Sequence, residues 1–236
     1  MTSVIIATKD LIKCGRGIDR LYYQVLSLRQ QSEEVEIILV DGSGFPEHKR
    51  ITQRLYGMGV RMIHAEQSVM NLPKLWNLGI REAQGQWIHI SGADFLYAPT
   101  FMDRIKEVRN ELTLVMCKVW DLPRMPLTNS NVLKWQWPTL KEFFAPNPKL
   151  ANGIQHGTKK LFLEIPYDER MEKLGGMDNL QQYKCERNGY DCLWWEQQLV
   201  LHQWHKMSPM KIDKQFNENQ KVISSYIKET PINGVP

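Results

Sequence analysis

Apolar residues in the first hundred positions follow two alternating patterns. Short, mainly apolar runs at 3–7, 35–40, 60–65 and 86–91 predict four β-strands. The segments between them have helical periodicity, first at Ile18, Leu21, Tyr22, Val25 and Leu28, then over 48–56, and then from Pro73 onward. This β-α-β-α order favours an α/β fold with a mainly parallel sheet.

The second half of the chain is less regular. A helix is predicted over 101–112, a strand over 114–120, a helix after Asp178 and a strand over 200–202. Residues 121–150 are rich in proline and in aromatic residues, among them Trp135, Trp137, Phe143 and Phe144. Such a segment serves either as an aromatic lid over a substrate or as the packing of a second small lobe. Residues 206–236 predict a peripheral helix and a tail.

The composition is that of an ordinary globular protein. The 236 residues are 42% hydrophobic, which suits one sizeable domain or one domain with an appended lobe. A net charge of +4 permits an anionic ligand without requiring one. The four cysteines show no C-x-x-C pairing, which argues against a zinc ribbon and a disulfide framework. With neither a signal peptide nor an apolar run of membrane-spanning length, the sequence predicts a cytoplasmic protein.

Polar residues follow three of the predicted strands. They are Thr8 and Asp10 after the first, Asp41 after the second and Asp94 after the fourth. In parallel sheets ligands bind beyond the carboxyl ends of the strands, so these residues are candidates for a ligand site. Asp94 suits a divalent cation that bridges a diphosphate, or else a turn before Pro99. Asp41 begins an Asp-Gly-Ser-Gly sequence, which is also a common turn.

Two segments further along the chain carry groups suited to catalysis. Gly175 and Gly176 allow the backbone to approach a ligand closely, and Asp178 follows them at the start of a predicted helix. A carboxylate there acts either as a base beside a substrate or simply as a helix cap. His202 and His205 carry imidazoles, which suit manganese, zinc or iron better than magnesium. On a strand this spacing puts them on opposite faces, so both bind one ion only where the chain bends.

Taken in order, several segments resemble the nucleotide-sugar glycosyltransferases of the GT-A fold, especially the family-2-like group. The segments 3–8 and 38–43 are similar to the first two strands of that family, 75–85 to its alanine-arginine-asparagine helix, and 88–94 to its D-x-D metal segment. The segments 161–170 and 175–178 resemble the acceptor side of galactosyltransferase-like C-terminal regions. The resemblance covers residues 3–205.

The resemblance implies an α/β fold of the GT-A type, with a Rossmann-like mixed sheet flanked by helices, in one catalytic domain over 1–205. Residues 1–94 would form its nucleotide-sugar-binding half and 95–205 its acceptor half. It also implies inverting transfer of a sugar from a nucleotide-diphosphate sugar, such as a UDP-sugar, to an acceptor hydroxyl. Asp178 would be the catalytic base, and Asp94 with His202 or His205 would hold Mn²⁺ or Mg²⁺. The residues expected to bind substrates are Thr8, Asp10, Asp41, Lys74, Asn77, Asp94, Gly175 and Gly176.

Three positions depart from the family pattern. Gly92 stands where the first acid of D-x-D is expected, Met177 replaces a glutamate, and Trp76 replaces an arginine whose charge Lys74 can supply. These changes leave the strength of metal binding and the identity of the sugar open. The acceptor is a glycan or a modified nucleic-acid base. The alternatives to a glycosyltransferase are a non-catalytic nucleotide-sugar-binding module and a nucleotidyltransferase of the same fold.

Overall fold

A seven-stranded mixed sheet forms the centre of the molecule. The structure is a computed structural model that describes residues 1–14, 17–122, 145–146, 154–172, 175–203 and 212–229. The strands of this sheet are β1 (Thr2–Thr8), β2 (Val35–Asp41), β3 (Val60–His64), β4 (Trp87–Ser91), β6 (Thr113–Cys117), β9 (Gln155–Thr158) and β10 (Asp191–Trp195). They lie in the order β10-β6-β9-β4-β1-β2-β3. Only β9 runs antiparallel to its neighbours, β4 and β6.

A second, four-stranded sheet is built from segments that follow the strands of the first. Its members are β5 (Phe95–Tyr97), β7 (Trp120–Asp121), β8 (Ala145–Pro146) and β11 (Val200–His202), in the order β5-β11-β7-β8. Along the chain, β5 comes shortly after β4, β7 after β6 and β11 after β10. The second sheet therefore gathers the segments that leave the carboxyl ends of three strands of the main sheet.

Helices cover both faces of the main sheet. Those within the described residues are α1 (Gly17–Arg29), α2 (Phe45–Arg54), α3 (Leu72–Glu82), α4 (Phe101–Lys106), α5 (Lys159–Glu164), α6 (Met177–Arg187) and α7 (Ile212–Glu229), with a short 3-10 turn at Leu11–Cys14. On β1, Val4 and Ile6 belong to one buried cluster and Ile5 to another, because successive side chains of a strand point to opposite faces. The strand is thus buried on both sides, as expected of its continuous apolar run. None of the described helices is long and apolar enough to cross a bilayer.

The structure confirms the predicted α/β architecture and corrects several elements. Strands β1 to β4 and helices α1 and α3 occur where the sequence predicts them, whereas α2 begins three residues and ends two residues before the predicted 48–56. The helix expected over 101–112 ends at Lys106, and the strand expected over 114–120 is divided into β6 and β7. Strands β5, β8, β9 and β10 were not predicted. The aromatic residues proposed as a lid, from Trp135 to Phe144, lie outside the described residues.

Candidate active site

The carboxyl ends of β1, β2 and β4 lie side by side at one edge of the main sheet. Thr8 pairs with Asp41 in the parallel register, and β1 pairs in parallel with β4 on its other side. Strand β9 runs the other way and begins at the same edge, because Gln155 pairs with Ile90. The strand-end residues predicted from the sequence are therefore brought to one edge, together with the start of β9.

Asp41 is fully buried, and protein groups contact both of its carboxylate oxygens. Oδ1 accepts hydrogen bonds from the Thr8 hydroxyl at 3.1 Å and from the Ser43 amide at 3.0 Å. Oδ2 lies 2.9 Å from Nδ1 of His48, in the first turn of α2. The His48 ring in turn stacks on His64 with the ring centroids 4.1 Å apart. Asp41 therefore fixes the turn between β2 and α2.

Lys9 and Asp10 extend this edge beyond β1. The buried Lys9 ammonium donates to the carbonyl oxygens of Gly42 at 3.3 Å and Gln67 at 2.6 Å. It also lies 3.8 Å from the carboxylate of Asp10, whose side chain is 28% exposed. Asp10 has a φ of 57°, a left-handed conformation in which aspartate is more common than most residues, and its amide donates to Ser43. Lys9 thus ties the loops together, while Asp10 remains accessible to a ligand.

A groove of about 520 Å³ lies beside the amino end of α3. Asn71 caps this helix, because its Oδ1 accepts a hydrogen bond from the Lys74 amide at 3.0 Å. The Asn71 side-chain amide donates to the carbonyl of Glu169 at 2.8 Å and so fastens one wall of the groove to the helix. The charged lining residues are Glu66, Lys74, Arg81, Glu169 and Glu172. Lys74 is exposed there, so its charge is available to an anionic substrate.

Asn77 is buried within a hydrogen-bond network that reaches the backbone of Asp178. Its side-chain amide donates to the Tyr167 carbonyl at 2.9 Å and to the Glu169 carboxylate at 3.0 Å. Its Oδ1 accepts from the Tyr167 amide at 3.0 Å. The Tyr167 hydroxyl donates to Gln155, and Gln155 donates to the Asp178 carbonyl at 3.1 Å. Asn77 thus positions the 167–178 segment relative to α3.

Asp178 is the second residue of α6. The residue is partly exposed, but its carboxyl group is largely surrounded by protein, and this desolvation raises its pKa above the ordinary value. Hydrogen bonds from the backbone amides of Asn179 and of Asp178 itself oppose the shift. A carboxylate with a raised pKa is a better proton acceptor than an ordinary aspartate. Because Gln155 begins β9 and holds the Asp178 backbone, this group lies at the same sheet edge as the strand ends.

The paired glycines that precede α6 are held by α7. Gly175 and Gly176 have φ values of 110° and 81°, which favour glycine. A Cβ on Gly176 would also lie only 2.9 Å from Cδ1 of Ile223 on α7. Asn219 of α7 is 1% exposed, and its amide donates to the carbonyls of Glu172 at 3.1 Å and Gly175 at 2.9 Å. The helix that the sequence placed at the periphery therefore packs on the loop in front of α6.

The second sheet aligns Asp94, His202 and Asp121. His202 ends β11 and pairs in register with Phe95 on one side and Asp121 on the other. Nε2 of His202 lies 3.4 Å from Oδ2 of Asp94, and Nδ1 lies 3.0 Å from Oδ1 of Asp121. Burial lowers the pKa of His202, but the carboxylates of Asp94 and Asp121 outweigh burial and raise it. The imidazole is thus held between two carboxylates.

The Asp94–His202 pair fits part of a divalent-cation site. Carboxylate oxygen and imidazole nitrogen are donors that Mn²⁺ accepts. Their separation of 3.4 Å is near the distance of about 3 Å between neighbouring ligands of an octahedral ion. Among the described residues, no group of three histidine, cysteine, aspartate or glutamate side chains could hold a metal ion. At the position of the absent acid, a Cβ on Gly92 would meet the Phe95 ring at 2.8 Å. His205 lies outside the described residues.

Four further residues of the site were missed by the sequence reasoning: Lys9, Asp121, Gln155 and Tyr167. Lys9 stands between two residues that were singled out, and Asp121 directly follows a predicted strand. A complete survey of strand ends would have found both. Gln155 gave no signal, because its role depends on β9, a buried strand with the polar sequence Gln-His-Gly-Thr. Tyr167 lies in the segment 161–170 that carries the resemblance, but no role was assigned to it.

Comparison with known proteins gives both a family and a fold. The sequence model of glycosyl transferase family 2 matches residues 3–167. No curated protein matches the sequence. Among solved structures, S. aureus TarS 1–349 aligns with a TM-score of 0.66 at 14% identity, over 98% of this chain and 66% of that chain. The same fragment in complex with UDP-GlcNAc aligns with a TM-score of 0.67 at 14% identity, over 98% of this chain and 68% of that chain.

The likeness to TarS concerns the fold alone at this level of identity. The full TarS chain aligns with a TM-score of 0.64 at 14% identity, over 98% of this chain, and this chain spans only 40% of it. The mixed α/β sheet flanked by helices agrees with the GT-A architecture implied by the resemblance. The family match extends from the first strand to Tyr167, well over half of the chain. The protein therefore belongs to glycosyl transferase family 2.

Proposed function

We propose that this family 2 protein transfers a sugar from a UDP-sugar to an acceptor hydroxyl with inversion at the anomeric carbon. The observation that carries the proposal is the position of two groups at one sheet edge. These are the desolvated carboxyl group of Asp178 and the Asp94–His202 pair. A further argument comes from TarS, which shares the fold and whose structures include complexes with UDP-GlcNAc and with UDP.

The nucleotide-diphosphate would bind along the ends of β1 and β2. Thr8 and Asp41 hold each other through a hydrogen bond of 3.1 Å and would shape this wall of the pocket. The accessible carboxylate of Asp10 would face the nucleotide. Lys74 is exposed in the groove beside α3 and would supply a positive charge to the diphosphate. The family has an arginine for this purpose at the position of the buried, uncharged Trp76.

Asp94 and His202 would hold a Mn²⁺ or Mg²⁺ ion, with His205 as a further candidate ligand. When bound, such an ion neutralises negative charge on the leaving diphosphate. The nitrogen donor of His202 favours Mn²⁺ over Mg²⁺. A proton and a cation compete for Nε2 of His202, which lies 3.4 Å from the Asp94 carboxylate.

The Asp178 carboxylate would take the proton of the acceptor hydroxyl as that oxygen attacks the anomeric carbon. The bond between this carbon and the diphosphate oxygen breaks on the opposite face, which inverts the configuration. The network that links Asn77, Tyr167 and Gln155 to the Asp178 backbone would hold the base in place. Gly175 and Gly176 lack side chains and would let the substrates approach the backbone closely.

An Asp178→Asn substitution tests the role of the base. The amide has a similar shape but cannot accept the proton, so we expect turnover to fall about 10²- to 10⁴-fold while donor affinity stays nearly unchanged. Turnover is measured as UDP released from a UDP-sugar with water as acceptor, and affinity by calorimetry. Asp191→Asn, at the exposed start of β10, is the matched control and should behave like the wild type. Near-full turnover in Asp178→Asn would show that another group is the base.

A panel of nucleotide sugars separates this proposal from its alternatives. The wild-type protein is incubated with Mn²⁺ and each sugar nucleotide in turn. Release of a nucleotide diphosphate supports the glycosyltransferase and identifies the donor. Release of pyrophosphate instead would favour a nucleotidyltransferase, and tight binding without turnover would favour a non-catalytic binding module.

The acceptor we propose is a glycan or a modified nucleic-acid base. The net charge of +4 is compatible with a nucleic acid but does not require one. Binding to RNA or DNA that weakens steeply with salt would favour the nucleic acid, because phosphate contacts release counterions. Absence of such binding at low salt would leave the glycan.

We also propose that the protein works in the cytoplasm. Three cysteines of the described residues, Cys117, Cys185 and Cys192, are free thiols. Free thiols in a folded domain are typical of a reducing compartment. Cell fractionation with the untagged protein tests this location, and recovery of the protein outside the cytoplasm would contradict it.

A further inference from the structure

Asp121 contacts the side of His202 that faces away from Asp94. We infer that Asp121 is a positioning residue for the cation site, because it lies 3.0 Å from Nδ1 of His202 and turns Nε2 toward Asp94, where the ion would bind. The inference rests on the proposed function, since it concerns the same cation.

The backbone fixes all three side chains relative to one another. Strand β11 pairs with β5 and β7, so that His202 lies in register with Phe95 and Asp121. The Leu122 amide donates to the carbonyl of His202 at 2.9 Å. The Gln203 amide donates to the carbonyl of Asp94 at 2.8 Å. The alignment of carboxylate, imidazole and carboxylate is therefore set by strand pairing rather than by the side chains alone.

Binding of an ion at Nε2 of His202 requires one particular tautomer of the ring. A neutral imidazole has one N–H donor and one nitrogen with a lone pair, and only the second can bind a metal. Nδ1 lies 3.0 Å from Asp121, whereas Nε2 lies 3.4 Å from Asp94. An ion bound at Nε2 therefore leaves the ring proton on Nδ1, where Asp121 accepts a hydrogen bond from it. The lone pair of Nε2 then points toward Asp94, where the ion would sit.

This arrangement matches the way proteins orient metal-binding histidines. A carboxylate behind the ring fixes the tautomer and raises the basicity of the ligating nitrogen. The Phe95 ring packs against His202 with the centroids 5.7 Å apart and limits rotation of the imidazole from another side. The Asp121 side chain is itself 42% exposed, so its truncation leaves no buried cavity and the variant is expected to fold.

Mn²⁺ binding to the full chain, without nucleotide, is the first test. Binding is followed by the loss of the electron paramagnetic resonance signal of free Mn²⁺. We expect Asp121→Ala to weaken Mn²⁺ binding about 10- to 100-fold. Asp103→Ala is the matched control, because Asp103 on α4 is 49% exposed and also paired, with Lys106 and Ser32, and it should leave affinity unchanged. Equal affinity in Asp121→Ala and the wild type would overturn the inference.

The tautomer of His202 is the second test, and a merely structural role would not change it. In the metal-free protein, nitrogen chemical shifts of the ring are recorded by NMR at a pH where the ring is neutral. The wild type should hold the proton on Nδ1, and Asp121→Ala should give a mixture of tautomers. The same tautomer in both proteins would overturn the inference. If Mn²⁺ binding depends on Asp121 as expected but the wild type releases no nucleotide diphosphate from any sugar nucleotide, the proposed function fails while the inference stands.

Discussion

At the scale of single residues, the carboxyl group of Asp178 is largely desolvated in the folded protein. Desolvation raises its pKa, which means that the ionised form is less stable in the folded chain than in the unfolded chain. At neutral pH the residue therefore lowers the stability of the fold. A group retained at such a cost is a candidate for function, because active sites often trade stability for reactivity.

An Asp178→Asn variant should accordingly be more stable than the wild type at neutral pH. The sign follows from the raised pKa of Asp178. Below the pKa that Asp178 has in the unfolded chain, the carboxyl group is protonated in both states, so desolvation does not lower the stability. Above its pKa in the folded chain, the carboxyl group is ionised in both states, and the full cost of burying the charge lowers the stability. The stability difference between variant and wild type should thus be small near pH 3 and grow with pH. Urea denaturation of both proteins over this range measures the difference.

Asp168 provides a control of opposite sign. Burial raises the pKa of its carboxyl group, but hydrogen bonds and charge from Arg170 outweigh burial and lower it. Asp168→Asn should therefore destabilise the protein increasingly as the pH rises. If Asp178→Asn changed stability in the same direction as Asp168→Asn, the Asp178 carboxyl group would not be desolvated.

At the scale of elements, α7 secures the loop in front of the candidate base. Asn219 is buried, and its amide bonds to the carbonyls of Glu172 and Gly175 hold both sides of this loop. Ile223 packs against Gly176 from the same helix. The position of α6, and with it of Asp178, therefore depends on a helix that is distant in sequence.

An Asn219→Ala variant tests this dependence. Two hydrogen bonds to backbone carbonyls would be lost, and each contributes about 0.5–1.5 kcal/mol to stability. We expect the free energy of unfolding to fall by this order, and UDP release to slow more than donor affinity weakens. Glu218→Ala, one position earlier on the exposed side of α7, is the matched control. Unchanged turnover in Asn219→Ala would mean that α7 has no influence on the base.

The elements that the sequence predicted are those that carry their own pattern. Strands β1 and β2 are continuous apolar runs, and α3 has Pro73 in its first turn. Helix α3 packs directly on β1 at Gly79, where a Cβ would lie only 2.4 Å from the Ile5 side chain. Strand β9 was missed because Gln155 and its polar neighbours are buried only through pairing with strands far away in sequence.

The candidate site also contains residues that the sequence indicates and contacts that only the tertiary structure shows. Asp94, Asp178 and His202 were predicted as candidates because their side chains suit the chemistry and follow strands or glycines. The partnership of Asp121 with His202 depends on the pairing of β7 with β11, which no local pattern records. Asn77 was expected to contact a substrate, yet its side chain is engaged with Tyr167 and Glu169. Residue type can therefore indicate a site, while hydrogen-bond partners depend on tertiary structure.

At the scale of the whole molecule, two histidines lie in the core between β4 and β9. His89 and His156 pair in register, are fully buried and have ring centroids 5.8 Å apart. Burial lowers the pKa of His89 to about 3. Burial, the neighbouring His89 and the Arg109 guanidinium lower that of His156. Within the described part of the chain, neither ring nitrogen of His156 has a hydrogen-bond partner. Both rings are therefore neutral in the folded protein at physiological pH.

These histidines should make the fold sensitive to acid. In the unfolded chain they take up protons below pH about 6.5, whereas the folded state resists protonation, so stability falls as the pH drops. The loss begins near the unfolded pKa and continues to the folded pKa, which is about 3 for His89. At pH 5 each histidine is expected to remove about 2 kcal/mol from the free energy of unfolding.

A His156→Leu variant isolates one of these two contributions. Leucine has a similar volume and no polar atoms, so at pH 8 the variant should be at least as stable as the wild type. Between pH 7 and pH 5 it should lose less stability than the wild type, by about 2 kcal/mol at pH 5. Urea denaturation at each pH measures both curves, and the values at pH 8 remove any difference in packing. Parallel curves would contradict the prediction, because they would mean that His156 binds protons equally in the folded and unfolded states.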